Sequence, residues 1–311
     1  MRLAVIRHPE GTCLAAEGEG AYADLSDAVG VRLDDVGDLC ELLAADPGAR
    51  AKLEAADALP PKWDAGEVTL LAPVRRPTKV VCIGLNYLDH CRETGTPVPA
   101  TPIVFAKFPS CLIGPGDTVN LHPATTSEAD WEAELAAVIG ERCGPCLPPG
   151  PGVIFGYTIA NDISARDLQR DDGQWTRAKS LDTFCPVGPA VVTADEIGDP
   201  QALGIGLKVN GEPQQASSTA EMIFPVAELI SRLAAEMTLL PGDLLLTGTP
   251  HGTGGFQRPP RFLRPGDVME AWIERIGSLI NPTGGSGRHL RQDAEASPTG
   301  SPAPGPRAIS H

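Results

Sequence analysis

The stretch DWEAELAAVIG, residues 130–140, carries the pattern that decides the fold. Its apolar half, ELAAVIG, is one of several short apolar runs between Leu71 and about Pro282 that alternate with turn signals. Runs of this length between turn residues are typical of strands. The spacing therefore predicts a β-rich body with many short strands. The other runs are KVVCIG, PIVFAK, FGYTIAND, GPAVVT, GIGLKVNG, DLLLTGTP and DVMEAWIE.

Outside these runs the pattern changes. Residues 1–70 hold a short strand, LAVIR, followed by two short predicted helices broken at Asp46-Pro47-Gly48. We expect a small N-terminal domain here and a catalytic body over residues 71–282. Residues 283–311 contain few large aliphatic side chains, so we expect a disordered tail. One helix interrupts the body, where apolar residues recur near a period of 3.6 at Val226, Leu229, Ile230, Leu233 and Met237.

Composition excludes several function classes. The 311 residues include 25 Lys and Arg against 40 Asp and Glu, and the basic residues are not clustered, so nucleic acid and anionic membrane surfaces are not expected partners. No apolar run approaches the roughly 20 residues of a membrane span. The start, MRLAVIRHPEGT, lacks the apolar core of a signal peptide, and the early acidic residues do not suit a mitochondrial transit peptide. The eight cysteines are then expected to be reduced thiols in a cytoplasmic protein.

Three familiar motifs are incomplete. Cys143-Gly-Pro-Cys146 is followed by LPPGPG, which cannot start the helix that a dithiol redox centre needs. The glycine-rich GTPHGTGGF has no Lys-Ser/Thr after it, as a phosphate-binding loop requires. No Gly-x-Ser-x-Gly nucleophile elbow occurs. We expect none of these chemistries.

Two carboxylates, Glu132 and Glu134, lie two apart at the start of the ELAAVIG strand. They point to one face, about 6.6 Å apart at roughly 3.3 Å per residue. Alternation alone would favour an exposed strand edge. The apolar run that follows instead places the pair at the mouth of a buried strand.

A third carboxylate, Asp162, ends the FGYTIAND strand. If it approaches the glutamate pair, the three buried charges need compensation, and one divalent cation supplies it. All-oxygen ligation selects a hard ion, Mg²⁺ first, with Mn²⁺ and Ca²⁺ as alternatives. Such a site leaves positions for a bidentate substrate and can stabilise an enolate.

His90 and Glu93 follow the KVVCIG strand at a spacing of i, i+3. One helical turn lets the carboxylate orient the imidazole and raise its basicity. A surface pair is the alternative interpretation of this spacing. The position directly after a strand and a glycine favours function.

Six motifs in register resemble the fumarylacetoacetate hydrolase family, and the match covers essentially all of residues 71–282. The insert GFQRPPRFLRPGD and the start MRLAV are most similar to the branch called fumarylacetoacetate hydrolase domain-containing protein 2. The resemblance implies an α+β fold, a β-rich mixed β-sandwich roll, in a homodimer. The motifs are GLNYLDHCRE, DWEAELAAVIG, GYTIANDISARDLQ, QWTRAKSLDTFCPVGP, VNGE and PGDLLLTGTP.

The resemblance also implies roles for particular residues. The metal ligands fall on Glu132, Glu134 and Asp162, and the family's mobile His-Glu dyad falls on His90 and Glu93. Lys179 has a surface ion pair as its alternative, and Thr249 a turn position. The family's Gly-Val-Gly after TGTP is Gly252-Thr253-Gly254 here, which puts substrate choice in question. The implied substrate-facing residues are Lys107, Arg166, Gln169, Lys179 and Thr249.

Members of this family hold a 2-oxo carboxylate on the ion and then hydrolyse a carbon-carbon bond, decarboxylate, or shift a proton between keto and enol forms. The branch is associated with oxaloacetate, so the first hypothesis is a Mg²⁺-dependent oxaloacetate tautomerase whose dyad moves the proton. The alternative is hydrolysis of acylpyruvates or related β-diketo acids, with the dyad activating water. A non-catalytic metal-binding or ligand-binding relative is the third hypothesis, against which the intact ligand and dyad positions speak. Related eukaryotic proteins are often mitochondrial, which leaves that compartment as an alternative.

Overall fold

The computed structural model describes residues 1–54 and 59–285. The predicted disordered tail, residues 283–311, lies outside the described residues from residue 286 onward. Its predicted start is wrong, because Thr283 and Gly284 belong to the last strand and pair with Val119 and Asn120. The α+β class predicted from the sequence is confirmed. The strands are β1 Arg2–His8, β2 Gly11–Gly18, β3 Ala21–Asp24, β4 Trp63–Asp64, β5 Thr69–Leu71, β6 Val80–Gly84, β7 Ile103–Lys107, β8 Leu112–Ile113, β9 Val119–Asn120, β10 Ala129–Asp130, β11 Ala133–Ile139, β12 Ile154–Asn161, β13 Ser164–Ala165, β14 Cys185–Thr193, β15 Gly204–Val209, β16 Glu212–Ser218, β17 Leu244–Leu246, β18 Val268–Ile273 and β19 Gly277–Gly284.

The helices have at most eleven residues among the described parts of the chain. The two predicted N-terminal helices form and are separated at Asp46, whose carboxylate accepts a hydrogen bond from the N–H of Gly48. The predicted apolar helix of the body also forms and ends one residue before Met237. Among the described residues, no helix has the length and apolar character to cross a membrane. The helices are α1 Leu25–Val29, α2 Val36–Ala45, α3 Pro47–Glu54, α4 Leu88–Thr94, α5 Arg166–Asp172, α6 Trp175–Lys179, α7 Ala194–Ile197 and α8 Val226–Glu236.

Two sheets pack face to face. The larger has twelve strands in the order β4-β3-β2-β1-β14-β12-β11-β17-β6-β7, with β5 beside β1 and β8 beside β14. The smaller has the order β16-β15-β18-β19-β9. Strand β11 is buried on both faces: Leu135 and Ala137 enter the core shared with the smaller sheet, whereas Ala136 and Val138 enter the core on the opposite face. This double burial explains why ELAAVIG is apolar without alternation.

The N-terminal strands belong to the larger sheet. Strand β1 pairs antiparallel with β14 of the body, with Arg2 opposite Val192, and β2 and β5 pair with β1. Residues 1–70 therefore extend the sheet of the body, and the predicted boundary at residue 70 stays a prediction.

Strand direction brings the predicted site residues to one edge of the larger sheet. Strand β11 is antiparallel to β12 and β17, and β17 is parallel to β6. The start of β11 therefore lies beside the ends of β12, β17 and β6. The register places Glu134 opposite Ala160, two residues before Asp162. The loop after β6 leads directly into α4, which carries His90 and Glu93.

Candidate active site

Three carboxylates meet at this edge. One oxygen from each of Glu132, Glu134 and Asp162 lies within 4.8 Å of the other two. The three residues are buried, at 6%, 1% and 0% exposure. Asp162 is distant from the glutamate pair in sequence. The pairing of β11 with β12 and a hydrogen bond of 2.9 Å from the Asp162 N–H to the Glu132 carbonyl bring it close to them.

Glu134 is the carboxylate of this group that lacks a cation. Its Oε2 accepts a hydrogen bond from the backbone N–H of Gly248 at 2.7 Å, and no described Lys or Arg forms an ion pair with it. Burial raises the pKa of Glu134 well above its usual range, and the negative charges of Asp162 and Glu132 raise it further. The donor set, three clustered carboxylates of which Glu134 has no cationic partner among the described residues, fits a hard divalent cation.

Lys179 is embedded among the same carboxylates. Its Nζ lies 2.8 Å from Glu132 Oε2, 2.7 Å from Asp162 Oδ2 and 2.8 Å from Ser164 Oγ. Burial favours the neutral amine, but Asp162 and Glu132 outweigh it and raise the pKa of Lys179, so the group is an ammonium. All three of its N–H donors are engaged. Lys179 is buried, which excludes the alternative of a surface ion pair.

Lys107 supports Asp162 from another direction. Its Nζ lies 2.7 Å from Asp162 Oδ1 and donates to the carbonyls of Ile163 and Lys179. Its ammonium is also fully engaged, and it does not line the cavity described below. A direct contact of Lys107 with substrate stays a prediction, and this position argues against it.

Arg166 has N–H donors that its contacts within the protein do not use. Its Nε bonds to Asp130 Oδ2 at 2.8 Å, Nη2 lies 2.7 Å from Glu132 Oε1, and Nη1 donates to Gln169 Oε1 at 3.0 Å. A guanidinium has five N–H donors, so two are not used by these contacts. Burial disfavours ionisation of Glu132, but Lys179 and Arg166 outweigh it and lower its pKa to about 2.

Asp130 was not singled out from the sequence, although it extends the spacing of Glu132 and Glu134 by one step. It is fully buried and accepts four hydrogen bonds, from the N–H groups of Trp131, Gly254 and Gly255 and from Arg166. Asp130 therefore fixes both the guanidinium and the turn at Gly254–Phe256. The two-residue spacing could have indicated Asp130 from the sequence. Its role is visible only in the structure, where the N–H groups of the distant Gly254 and Gly255 donate to it.

The predicted dyad forms on α4. His90 Nδ1 lies 2.9 Å from Glu93 Oε2, and His90 is 6% exposed, so the surface-pair alternative does not hold. A carboxylate accepts hydrogen bonds, so Nδ1 donates to Glu93 and Nε2 is the ring nitrogen that this contact does not use. The Phe256 ring packs edge-on against the imidazole, with centroids 5.4 Å apart.

A cavity of about 460 Å³ is lined by His90 of the dyad and by Glu132 and Glu134 of the carboxylates. Gln169 and Thr249 line it, although the Thr249 hydroxyl is engaged with the Ala133 carbonyl at 3.0 Å and with Gln215 at 2.8 Å. The substrate contacts of both residues stay predictions. Three aromatic side chains that were not singled out from the sequence also line the cavity, one from strand β7 and two from a short helix and a loop, where no periodic pattern marks them: Phe105, Trp175 and Phe256.

The Cys143–Cys146 segment forms no redox centre of the helical type. The chain makes a tight turn in which Gly144 and Leu147 pair, and no helix follows. Cys143 is buried and Cys146 exposed. We expected from LPPGPG that no helix would follow Cys146, and this expectation is confirmed.

Comparisons with known proteins match this same region. A family model described as fumarylacetoacetate (FAA) hydrolase C-terminal matches residues 79–283. The chain is 51% identical over 219 residues to oxaloacetate tautomerase FAHD2A, mitochondrial, of Bos taurus, covering 69% of each protein. It is 45% identical over 227 residues to oxaloacetate tautomerase YisK of Bacillus subtilis (strain 168), covering 71% of this chain and 75% of that protein. The solved structure of fumarylacetoacetate hydrolase (EaFAH) from psychrophilic Exiguobacterium antarcticum has a TM-score of 0.78 at 34% identity, covering 92% of this chain and 100% of that one.

Proposed function

The chain belongs to the fumarylacetoacetate hydrolase family of enzymes, and from that premise we propose that it is a Mg²⁺-dependent oxaloacetate keto-enol tautomerase. The observation that carries the proposal is the convergence of Glu132, Glu134 and Asp162 beside a buried His90-Glu93 pair. Two relatives at 51% and 45% identity are named oxaloacetate tautomerases. Their names support the substrate, a small 2-oxo carboxylate.

The contacts support a separate role for each residue in the proposed reaction. Glu132, Glu134 and Asp162 would hold the divalent cation, which when bound polarises the 2-oxo group and stabilises an enolate. His90 Nε2 carries the proton to and from the substrate carbon, because Nδ1 is committed to Glu93. Lys179 forms ion pairs with two of the proposed ligand carboxylates, Glu132 and Asp162.

Substrate binding falls chiefly to Arg166 and Gln169. Arg166 has unused donors and lines the cavity, and a guanidinium binds a carboxylate in a bidentate manner. Lys179 and Thr249 also line the cavity, but each must exchange an existing hydrogen bond before it can donate to a ligand. We therefore propose Arg166 as the primary anchor for the oxo-acid carboxylate.

Hydrolysis of a carbon-carbon bond in acylpyruvates or related β-diketo acids is the second candidate. One observation favours it: the cavity of about 460 Å³ has the size of sites for larger ligands, and a four-carbon acid does not fill it. The wall of Phe105, Trp175 and Phe256 suits an apolar acyl group. In this reaction the same dyad activates water.

Turnover of two substrates separates the candidates. EDTA-treated protein, with and without added Mg²⁺, is assayed for ketonisation of enol-oxaloacetate and for release of pyruvate from acetylpyruvate. The proposal expects Mg²⁺-dependent ketonisation and little pyruvate release. Pyruvate release at the higher rate favours the hydrolase, and full ketonisation activity in the metal-free protein contradicts the proposal. Metal binding without turnover of either substrate supports a non-catalytic relative.

A homodimer and a cytoplasmic location complete the proposal, and both rest on the sequence and the family resemblance. Light scattering coupled to size exclusion should give about twice the chain mass of 32.5 kDa. The curated relative in Bos taurus is named mitochondrial, so cell fractionation decides between cytoplasm and mitochondrion.

A further inference from the structure

A second histidine contacts the helix that carries the dyad. His251 lies on the loop of residues 251–256, and its Nδ1 is 2.9 Å from Oδ2 of Asp89, the residue that precedes His90 on α4. The backbone N–H of His251 donates to the other Asp89 oxygen at 3.3 Å. The His251 side chain is 44% exposed and the Asp89 side chain only 11% exposed. The contact therefore joins a partly exposed imidazole to a largely buried carboxylate.

Asp89 is organised as an acceptor. Ser217 Oγ donates to the same oxygen that receives the imidazole. Burial disfavours the charge on Asp89, but the hydrogen bonds from Ser217 and His251 outweigh it and lower its pKa. An ionised carboxylate only accepts hydrogen bonds, so His251 Nδ1–H is the donor. A hydrogen bond to a charged group is among the stronger ones in proteins.

The next residue of the loop contacts the dyad itself. The Gly252 N–H donates to Glu93 Oε1 at 2.9 Å, while Glu93 Oε2 receives His90. Consecutive loop residues thus contact the carboxylates on both sides of His90 along α4. Phe256, at the end of the same loop, packs edge-on against the imidazole.

Helix α4 needs such contacts because it is short. It has seven residues, and its N-cap residue Tyr87 makes no side-chain capping bond. Helices of this length are not stable on their own, so tertiary contacts determine where they sit. The position of His90 therefore depends on what holds α4.

We propose that His251 is a positioning residue whose hydrogen bond to Asp89 latches α4 onto the loop of residues 251–256 and so fixes the dyad above the carboxylates. The part of this inference that concerns turnover rests on the proposed function. The part that concerns the helix does not, because it can be measured without substrate.

Amide hydrogen exchange of the full-length protein, read on peptides that cover residues 87–95, tests the latch. His251→Ala is expected to speed exchange in α4 about tenfold, the effect of losing one charge-assisted hydrogen bond. His251→Asn keeps a side-chain N–H donor near the position of Nδ1 and is expected to restore slow exchange. His8→Ala is the control, since His8 is a half-buried histidine that stacks on Trp63 away from α4.

Each outcome of the hydrogen-exchange experiment either supports or overturns the proposal. Faster exchange confined to α4 and its loop, with rescue by Asn, supports the latch. Unchanged exchange in His251→Ala, a uniform increase across the chain, or failure of Asn to rescue overturns it. With an active wild type we also expect kcat to fall about tenfold in His251→Ala while KM changes little. If the wild type turns over no oxaloacetate, the proposed function fails while the exchange result still decides the latch.

Discussion

Glu132 directly precedes strand β11 and Glu134 is its second residue, yet their surroundings differ. Glu132 receives Lys179 and Arg166, which bring its pKa to about 2. Glu134 receives a backbone N–H, and its pKa is raised by burial and by the two neighbouring carboxylates. Glu132 thus has two cationic partners, whereas Glu134 has none among the described residues. The missing partner of Glu134 explains why a divalent cation would stabilise the site.

His90 should be required for chemistry and not for metal binding. We expect His90→Gln to lower kcat by about 10²–10⁴, the usual contribution of a general acid-base group. The affinity for Mn²⁺ should stay within twofold, because His90 is not among the three clustered carboxylates. Steady-state kinetics and a metal titration on the same sample check this. Equal loss of both properties would show that the imidazole acts as a ligand.

Asp130 should matter for stability because it is a buried charge with a buried partner. Asp130→Asn removes the charge opposite Arg166, and breaking a buried pair on one side costs about 3 kcal/mol of unfolding free energy. Urea denaturation measures the change. Asp172→Asn is the matched control, since its pair with Arg177 is at the surface and little should change. Equal effects of the two substitutions would refute the positioning role of Asp130.

At the scale of elements, hydrophobic pattern was sufficient where burial alone decides structure. Every apolar run named from the sequence lies in a strand, and Leu229 and Leu233 lie on the buried face of α8 as their period predicts. The candidate ligands were also identifiable, because Glu132 and Glu134 are two residues apart where an apolar strand begins. The glycine partners of Asp130 and the Asp89 partner of His251 were not, because these contacts join segments more than a hundred residues apart. No local pattern encodes such pairs.

The junction of β6 with α6 gives a prediction at this scale. A Cβ on Gly84 would lie 2.3 Å from Cζ3 of Trp175, which lines the cavity. Gly84→Ala should therefore displace the indole and destabilise the protein by about 1–3 kcal/mol, the cost of overpacking. Gly18→Ala is the control, since a Cβ there meets nothing within 4 Å. Chemical denaturation followed by tryptophan fluorescence measures both, and equal stabilities would contradict the packing described.

At the scale of the whole molecule, the N-terminal strands complete the larger sheet. Leu3 and Val5 of β1 lie in the same core cluster as Val187 and Val191 of β14. A fragment of residues 71–285 would expose this cluster and the edge of β14. Exposed apolar edges template aggregation, so we expect the fragment to be insoluble when produced alone. A soluble fragment with the activity of the full chain would show that residues 1–70 form a separable domain.

The central claim is that Glu132, Glu134 and Asp162 together bind one divalent cation. Calorimetric titration of the EDTA-treated protein with Mn²⁺ tests this claim most directly. We predict one ion per chain for the wild type and at least a hundredfold weaker binding for Glu134→Gln, because the variant loses the carboxylate that has no other cation partner. The variant should remain folded, since the amide is isosteric and uncharged. No binding by the wild type, or equal affinity in the variant, would contradict the account.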